Sequence, residues 1–304
     1  MSDQAAQPDT AQLFRSVRAG RSWVRNGIAR LEGGAAPGCV TLKPGSDGPP
    51  VFMLPGAAGS ILQIAPLASA MTIAAPVYAI KPRGMERGEA PCEDLAEMAH
   101  HAIGVIKRVS PRGPYFLVGY SAGGLVALEV ARQLTAAGDA VPLLVLLDTY
   151  PSRETWPLLC HLEVLARQSW RALDAIGRMA WRQALDDAAR RLRSLLLYLA
   201  ASGLRLVTPP PVVAEGSDAA SRRVHLATYN AGEAYRPSRY AGRVVFIQPE
   251  IIPNLEPIQP RRVWGRFLCD LTIRRVPGSH LGMLDEGAVA AAAEISRCLD
   301  EARA

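Results

Sequence analysis

The stretch PYFLVGYSAGGLVAL, residues 114–128, decides the fold of this chain of 304 residues. Apolar residues lead into Gly-Tyr-Ser-Ala-Gly, and the chain that follows has the apolar spacing and the strong helix formers of a helix. The pattern predicts a strand, a tight turn and a helix, with Ser121 at the apex. The glycines permit the close backbone approach of such an elbow, and the helix N-terminus supplies free N–H groups. Ser121 is therefore a candidate nucleophile, and a glycine-softened turn in any α/β protein is the competing interpretation.

Composition narrows the class of protein. Hydrophobic residues make up 49% of the chain, enough for one α/β domain with an insertion. No apolar run approaches the roughly 18 residues that a membrane span needs, and the polar start, MSDQAAQPDT, has no signal-peptide core, so we expect a cytoplasmic protein. The five cysteines form no C-x-x-C pair, which indicates reduced thiols and no metal site. The net charge is +6, but no basic run with interleaved aromatic residues points to nucleic acid.

Residues 1–38 are predicted to be an N-terminal extension. Apolar residues recur at helical spacing through residues 10–31, and arginines fill much of the remainder: Arg15, Arg18, Arg21, Arg25 and Arg30. This pattern predicts a basic amphipathic helix. Its apolar stripe either covers the domain or docks the chain on a partner or a membrane surface.

Residues 39–304 are predicted to form one domain in which strands and helices alternate, as in a mostly parallel sheet flanked by helices. Predicted strands lie at residues 39–42, 51–54, 77–80, 115–118, 141–147, 244–247 and 271–276. Between the predicted strands at 141–147 and 244–247, residues of about 152–240 break the alternation. They carry helical patterns at about 158–168, 170–201 and 219–235. Because strands return afterwards, we interpret this segment as a helical lid insertion and not as a second domain.

A loop of small residues, Pro55-Gly56-Ala57-Ala58-Gly59, follows the second predicted strand. Small side chains let the Ala57 N–H approach a substrate carbonyl, and the Ala122 N–H after the serine would be its partner in an oxyanion hole. The alternative is a phosphate-binding loop, which lacks here the Lys-Ser/Thr that should follow the glycines.

Two further loops complete a candidate triad. Asp148 ends a continuous apolar strand next to the nucleophile strand, where it can orient a histidine, although caps and Asx-turns are commoner roles for such an aspartate. His280 is the one histidine in a loop that follows a predicted strand, and the order Ser, Asp, His suits an α/β hydrolase. Glu250, after the strand at 244–247, is the rival for the acid.

Four motifs together resemble the α/β-hydrolase thioesterases of nonribosomal peptide and polyketide synthesis. They are LPGAAG at 54–59, GYSAGG at 119–124, LDTY at 147–150 and GSHLGML at 278–284, and the resemblance covers about residues 39–299. The alanine after the serine is closer to the chain-terminating members than to the editing members, which tend to carry methionine. A chain that starts at its own Met1 without a carrier module nevertheless suggests a free-standing enzyme.

The resemblance implies an α/β-hydrolase fold and covalent catalysis by Ser121, His280 and Asp148, with Ala57 and Ala122 as the oxyanion hole. The substrate would be an acyl, polyketide or peptidyl chain on phosphopantetheine, presented by a carrier protein or synthase module, with no bound cofactor. A carboxylester hydrolase or an acyltransferase would use the same triad, and a non-catalytic binding module of this fold is a further alternative.

Overall fold

A computed structural model describes residues 35–86, 88–178, 218–252 and 256–303. Within them, seven strands form one sheet in the order β1-β3-β2-β4-β5-β6-β7. The strands are β1 (Cys39–Lys43), β2 (Val51–Leu54), β3 (Val77–Ile80), β4 (Phe116–Tyr120), β5 (Leu143–Leu147), β6 (Tyr240–Pro249) and β7 (Leu268–Val276). The helices are α1 (Ile61–Ala70), α2 (Leu95–Val109), α3 (Ala122–Ala136), α4 (Leu158–Arg178), α5 (Ala219–Ala234), α6 (Pro260–Trp264) and α7 (Ala288–Arg303).

The sheet is parallel except at one edge, where β1 pairs with β3 in the antiparallel direction. No helix separates β1 from β2, so the chain lacks the crossover that a parallel neighbour would need at this edge. The predicted mostly parallel α/β-hydrolase sheet with flanking helices is thus confirmed, and β1 is its antiparallel exception.

Helices cover both faces of the sheet because its strand side chains alternate between two cores. Val51 and Met53 of β2 pack in the cluster beneath α1 and α7, whereas Phe52 and Leu54 pack in the cluster beneath α2 and α3. All four side chains are almost fully buried. The central strands therefore read as continuous apolar runs in the sequence.

Four loops lie together at the carboxyl ends of the parallel strands. From β2 the chain crosses to β3 on one side, and from β4 it crosses to β5 on the other, so the loops after β2 and β4 diverge and leave a crevice. Because β2, β4, β5 and β7 all run in the same direction, the loops that follow β5 and β7 lie at the same end of the sheet as the loops that follow β2 and β4. The small-residue loop, the elbow, Asp148 and His280 are on these loops.

The predicted insertion between β5 and β6 contains α4 and α5. The predicted break near residue 169 is wrong: α4 continues to Arg178, since the junction holds neither glycine nor proline to end a helix. The later part of that predicted second helix falls in residues 179–217, outside the described residues, as does the predicted basic helix at 10–31. Among the described helices, none combines the length and the apolar character that crossing a bilayer requires.

Candidate active site

Ser121 occupies a sharp turn between the last residue of β4 and the first residue of α3. Its φ is 53° and its ψ is −126°, a conformation that costs on the order of 1–3 kcal/mol for a residue with a side chain. Hydrogen bonds hold it: the Ser121 N–H donates to Leu147 O at 2.9 Å, and the Thr149 hydroxyl donates to Ser121 O at 3.0 Å. The neighbouring strand therefore maintains the strained elbow, with the serine half-buried.

Two glycines after the serine allow the elbow helix to approach its neighbours closely. A Cβ atom on Gly123 would lie 2.1 Å from Pro55 O, and one on Gly124 would lie 2.0 Å from Thr149 Oγ1. Both distances are far below van der Waals contact. The sequence Gly-Gly after Ser-Ala thus fits α3 between the loop after β2 and the loop after β5.

Asp148 follows β5 directly and is almost fully buried. Its φ is also positive, at 44°, and its N–H donates to Ile247 O at 2.9 Å. Asp148 Oδ2 lies 2.7 Å from His280 Nδ1. Because a carboxylate only accepts, the Nδ1–H of His280 is the donor, which leaves Nε2 as the basic nitrogen.

The rival acid lies elsewhere. Glu250 is exposed, and its main-chain N–H donates to Val276 O at 2.9 Å. Asp148 is the carboxylate that contacts the imidazole of His280.

His280 lies in the loop after β7, with its side chain 28% exposed. Its ring stacks on Tyr120, with 4.9 Å between the ring centroids and 29° between the planes. Tyr120 immediately precedes Ser121, so this stack places the imidazole beside the serine. In the described part of the chain the Ser121 hydroxyl makes no hydrogen bond. Such bonds often form only when substrate binds.

The two predicted oxyanion-hole donors border the serine. Ala122 is the first residue of α3, so its N–H has no acceptor within the helix and lies at the positive end of the helix dipole. Ala57 sits in a turn closed by the Gly59 N–H, which donates to Gly56 O at 2.8 Å. A Cβ on Gly56 would lie 3.6 Å from Ser121 Cβ, so this turn lies against the serine.

Sequence reasoning missed Glu256, in the loop after β6. Its Oε2 atom is shielded from solvent and has no hydrogen-bond partner among the described residues. Burial, and then the negative charge of Asp148, raise the pKa of Glu256 to about 8, while Arg153 and Arg167 oppose the shift. A second carboxyl, protonated at neutral pH, therefore lies near the Asp148 carboxylate. The only signal in the sequence was a Glu in a proline-rich loop after a strand.

Helix α5 of the insertion lies beside the carboxyl end of the sheet. Val224 of α5 approaches Gly59, and Thr228 lines, with Leu54 and Ile80, a largely apolar cavity of about 40 Å³. On α4, Leu158 and Leu159 are exposed. Helix α5 therefore lies beside the loop after β2, and the cavity that it lines also borders Gly123 of the elbow helix.

No cluster of three or more His, Cys, Asp or Glu side chains that could hold a metal ion is present in the described ranges. The chemistry that this arrangement supports is nucleophilic: a serine on a strained elbow, a histidine bonded to a buried carboxylate, and N–H groups beside the serine.

Comparison with known proteins gives a family and several relatives. Residues 49–297 match the model of the thioesterase-domain family. The dimodular nonribosomal peptide synthase of Bacillus subtilis strain 168 is 28% identical over 236 residues, which are 76% of this chain and 10% of that protein. The polyketide synthase PksR of the same organism is 36% identical over 119 residues, which are 39% of this chain and 5% of that protein.

Among solved structures, the NocB thioesterase domain in covalent complex with a fluorophosphonate nocardicin G analogue is 25% identical, with a TM-score of 0.57. The superposition covers 86% of this chain and 99% of that one. The chain therefore matches a whole thioesterase domain of the NocB type, but it spans a tenth or less of the length of the two curated relatives.

Proposed function

The chain belongs to the thioesterase-domain family, and from that premise we propose that it is a serine thioesterase that releases an acyl, polyketide or peptidyl chain from a phosphopantetheine thioester. The reaction proceeds through an acyl-serine on Ser121, with His280 as the base and Asp148 as its partner. The observation that carries this proposal is the 2.7 Å hydrogen bond from His280 Nδ1 to Asp148, formed beside a serine with positive φ.

In the acylation step, His280 Nε2 takes the proton of the Ser121 hydroxyl as Oγ attacks the thioester carbonyl carbon. Collapse of the tetrahedral intermediate breaks the carbon–sulfur bond. The imidazolium then gives its proton to the departing sulfur, which leaves as a thiol. Asp148 holds the Nδ1–H and stabilises the imidazolium.

In the second step, the acyl-serine ester is attacked by water or by a nucleophile on the acyl chain itself. His280 takes the proton of that nucleophile and returns it to Ser121 Oγ. Water gives a free acid, whereas a hydroxyl or amine of the chain gives a ring. In both steps the Ala57 and Ala122 N–H groups hold the oxyanion, and one such donor contributes on the order of 10²- to 10³-fold in rate.

The relatives support the substrate and the partner of this proposal. They are nonribosomal peptide and polyketide synthases, so we assign this chain an acyl or peptidyl carrier protein, or a synthase module, as its partner. We propose residues 39–304 as the catalytic domain, with a lid at about 152–240. All five cysteines are free thiols, which is consistent with a reducing cytoplasm.

The test combines mass spectrometry with kinetics. Incubation with acyl phosphopantetheine thioesters should add one acyl mass to the protein and release thiol, and a fluorophosphonate probe should label Ser121. Ser121→Ala should fold, lose the adduct and lose on the order of 10⁴-fold or more in turnover. Ser110→Ala, a serine at the far end of α2, is the matched control and should behave like the unaltered protein.

Retained turnover in a clean Ser121→Ala preparation would sink the proposal. Thioesters and oxyesters of equal acyl length separate it from a carboxylester hydrolase, because the proposed enzyme should prefer the carrier-linked thioester.

A further inference from the structure

We propose that Tyr120 is a positioning residue for the reaction, one that holds the His280 loop and ring in place for Ser121. Two independent contacts join the residues. The rings stack at 4.9 Å, and the Tyr120 hydroxyl donates to the main-chain oxygen of His280 at 3.0 Å. One side chain therefore fixes both the backbone and the imidazole of the proposed base.

Tyr120 is itself firmly held. It is the last residue of β4, pairs with Leu147 in the middle of the sheet, and is 3% exposed. The His280 loop lies at the end of β7, three strands away in the sheet order. The tyrosine thus connects this loop to the same strand that carries the nucleophile, so His280 and Ser121 share one rigid support.

The hydroxyl is a permanent donor. Burial, followed by the charges of Asp148 and Glu256, raises the pKa of Tyr120 far above the ordinary phenol value. The hydroxyl therefore stays protonated across the working range of the enzyme. Without it, the main-chain oxygen of His280 would lose a part-buried hydrogen bond.

The aromatic ring of Tyr120 restrains the imidazole of His280, whereas the hydroxyl holds the backbone. Asp148 binds the Nδ1 edge of the imidazole, and Tyr120 covers one face, so rotation of the ring is limited in two directions. When His280 takes a proton, the imidazolium lies over an aromatic face, an arrangement that stabilises a cation. Tyr120 should therefore favour the protonated form that both steps require.

Other titratable groups surround this pair. Asp148 faces the imidazole from the end of β5, and Glu256, in the loop after β6, faces Asp148. Asp285 and Glu286 follow on the same loop as His280. Because none of these groups changes in the Tyr120 variants, a shift in the pH profile reports the loss of the tyrosine.

The test uses two variants of the full chain. Tyr120→Phe keeps the stack and removes the hydroxyl, and we expect kcat on a thioester to fall about tenfold with KM unchanged. Tyr120→Leu also removes the aromatic face. We expect a loss of about a hundredfold in kcat and a changed pH profile of kcat/KM, because the imidazole loses the aromatic face that covers it.

Tyr115→Phe is the matched control. Tyr115 is fully buried just before β4, and its hydroxyl also donates to a main-chain oxygen, that of Ser110, at 3.0 Å. Removing this hydroxyl should lower stability to a similar degree and leave kcat and the pH profile unchanged. Unfolding curves of all variants identify any that do not fold. If Tyr120→Leu does not fold, the conservative variant Tyr120→Phe tests the proposal alone.

The inference rests on the proposed function, because kcat is measured on a thioester. A second measurement does not depend on that function. The rate at which a fluorophosphonate labels Ser121 depends on His280 as base and on no thioester. Slower labelling in both Tyr120 variants, but not in Tyr115→Phe, supports the proposal even if the protein turns over none of the thioesters tested. Labelling, kcat and pH profile equal to those of the unaltered protein, or equal losses in Tyr115→Phe, would overturn it.

Discussion

At the scale of single residues, the Asp148 carboxylate determines how His280 acts. Its Oδ2 is 2.7 Å from Nδ1, whereas Glu250 is exposed. Asp148→Asn retains the shape but can donate to Nδ1 and so favour the wrong tautomer. We expect kcat to fall on the order of 10⁴-fold, and Glu250→Gln, the matched amide substitution, to leave kcat unchanged. A loss confined to Glu250→Gln would move the acid to the loop after β6.

Gly124 carries a prediction on stability as well as rate. A Cβ here would collide with the Thr149 hydroxyl, which donates to Ser121 O. We expect Gly124→Ala to lower the free energy of unfolding by about 1–3 kcal/mol in urea titrations and to lower kcat, because the elbow must shift. Gly104→Ala in α2 is the control, since only Arg108 Nη1, at 3.8 Å, is near its Cβ. Equal stability of the two variants would contradict the steric argument.

At the scale of elements, local signals made much of the fold predictable. Continuous apolar runs located β2, β4 and β5, and the elbow was readable because strand, turn and helix are adjacent in the sequence. The ends of β6 and β7 were not readable, since polar residues such as Arg243 and Asp270 extend these strands by pairing with each other. The short α6 was missed as well, because five residues are too few to show helical periodicity.

The candidate site was predictable only where residue type and order along the chain carry the signal. Residue type and order indicated Ser121, Asp148 and His280. The contact between Tyr120 and His280 joins positions 160 residues apart, and the burial of Glu256 depends on a loop packed against α4, where Arg167 donates to Glu256 O. Neither leaves a pattern in the sequence, because tertiary packing creates both.

The loop after β6 carries a prediction on pH. Glu256 ionises near 4.5 in the unfolded chain and near 8 in the folded protein, so between these values the folded state binds more protons. The free energy of unfolding should therefore fall as pH rises through this window, on account of this residue. Glu256→Gln should remove that part of the decline, measured by urea unfolding at pH 5 and pH 8. Glu250→Gln, exposed in the same loop, should retain it, and an equal decline in Glu256→Gln would show that burial does not hold the proton.

At the scale of the whole molecule, charge bears on how a carrier domain reaches the site. The chain has a net charge of +6, and five of its arginines lie in the predicted basic helix at residues 10–31. Acidic carriers would be attracted to such a face, and the attraction should weaken with salt. We expect removal of residues 1–33 to raise KM for a carrier-linked thioester and to flatten its salt dependence. The sheet begins at Cys39, so every described element is retained and kcat on a small thioester should not change.

A second variant separates charge from the mere presence of the segment. Replacing Arg15, Arg18, Arg21, Arg25 and Arg30 with glutamine keeps the length of the chain and removes five positive charges. If electrostatic docking is the cause, this variant should match the deletion in KM and salt dependence. If only the deletion raises KM, the apolar stripe of the helix is responsible. Unchanged kinetics and salt dependence in both variants would remove residues 1–33 from carrier recognition and leave the arginines of the catalytic domain as the docking surface.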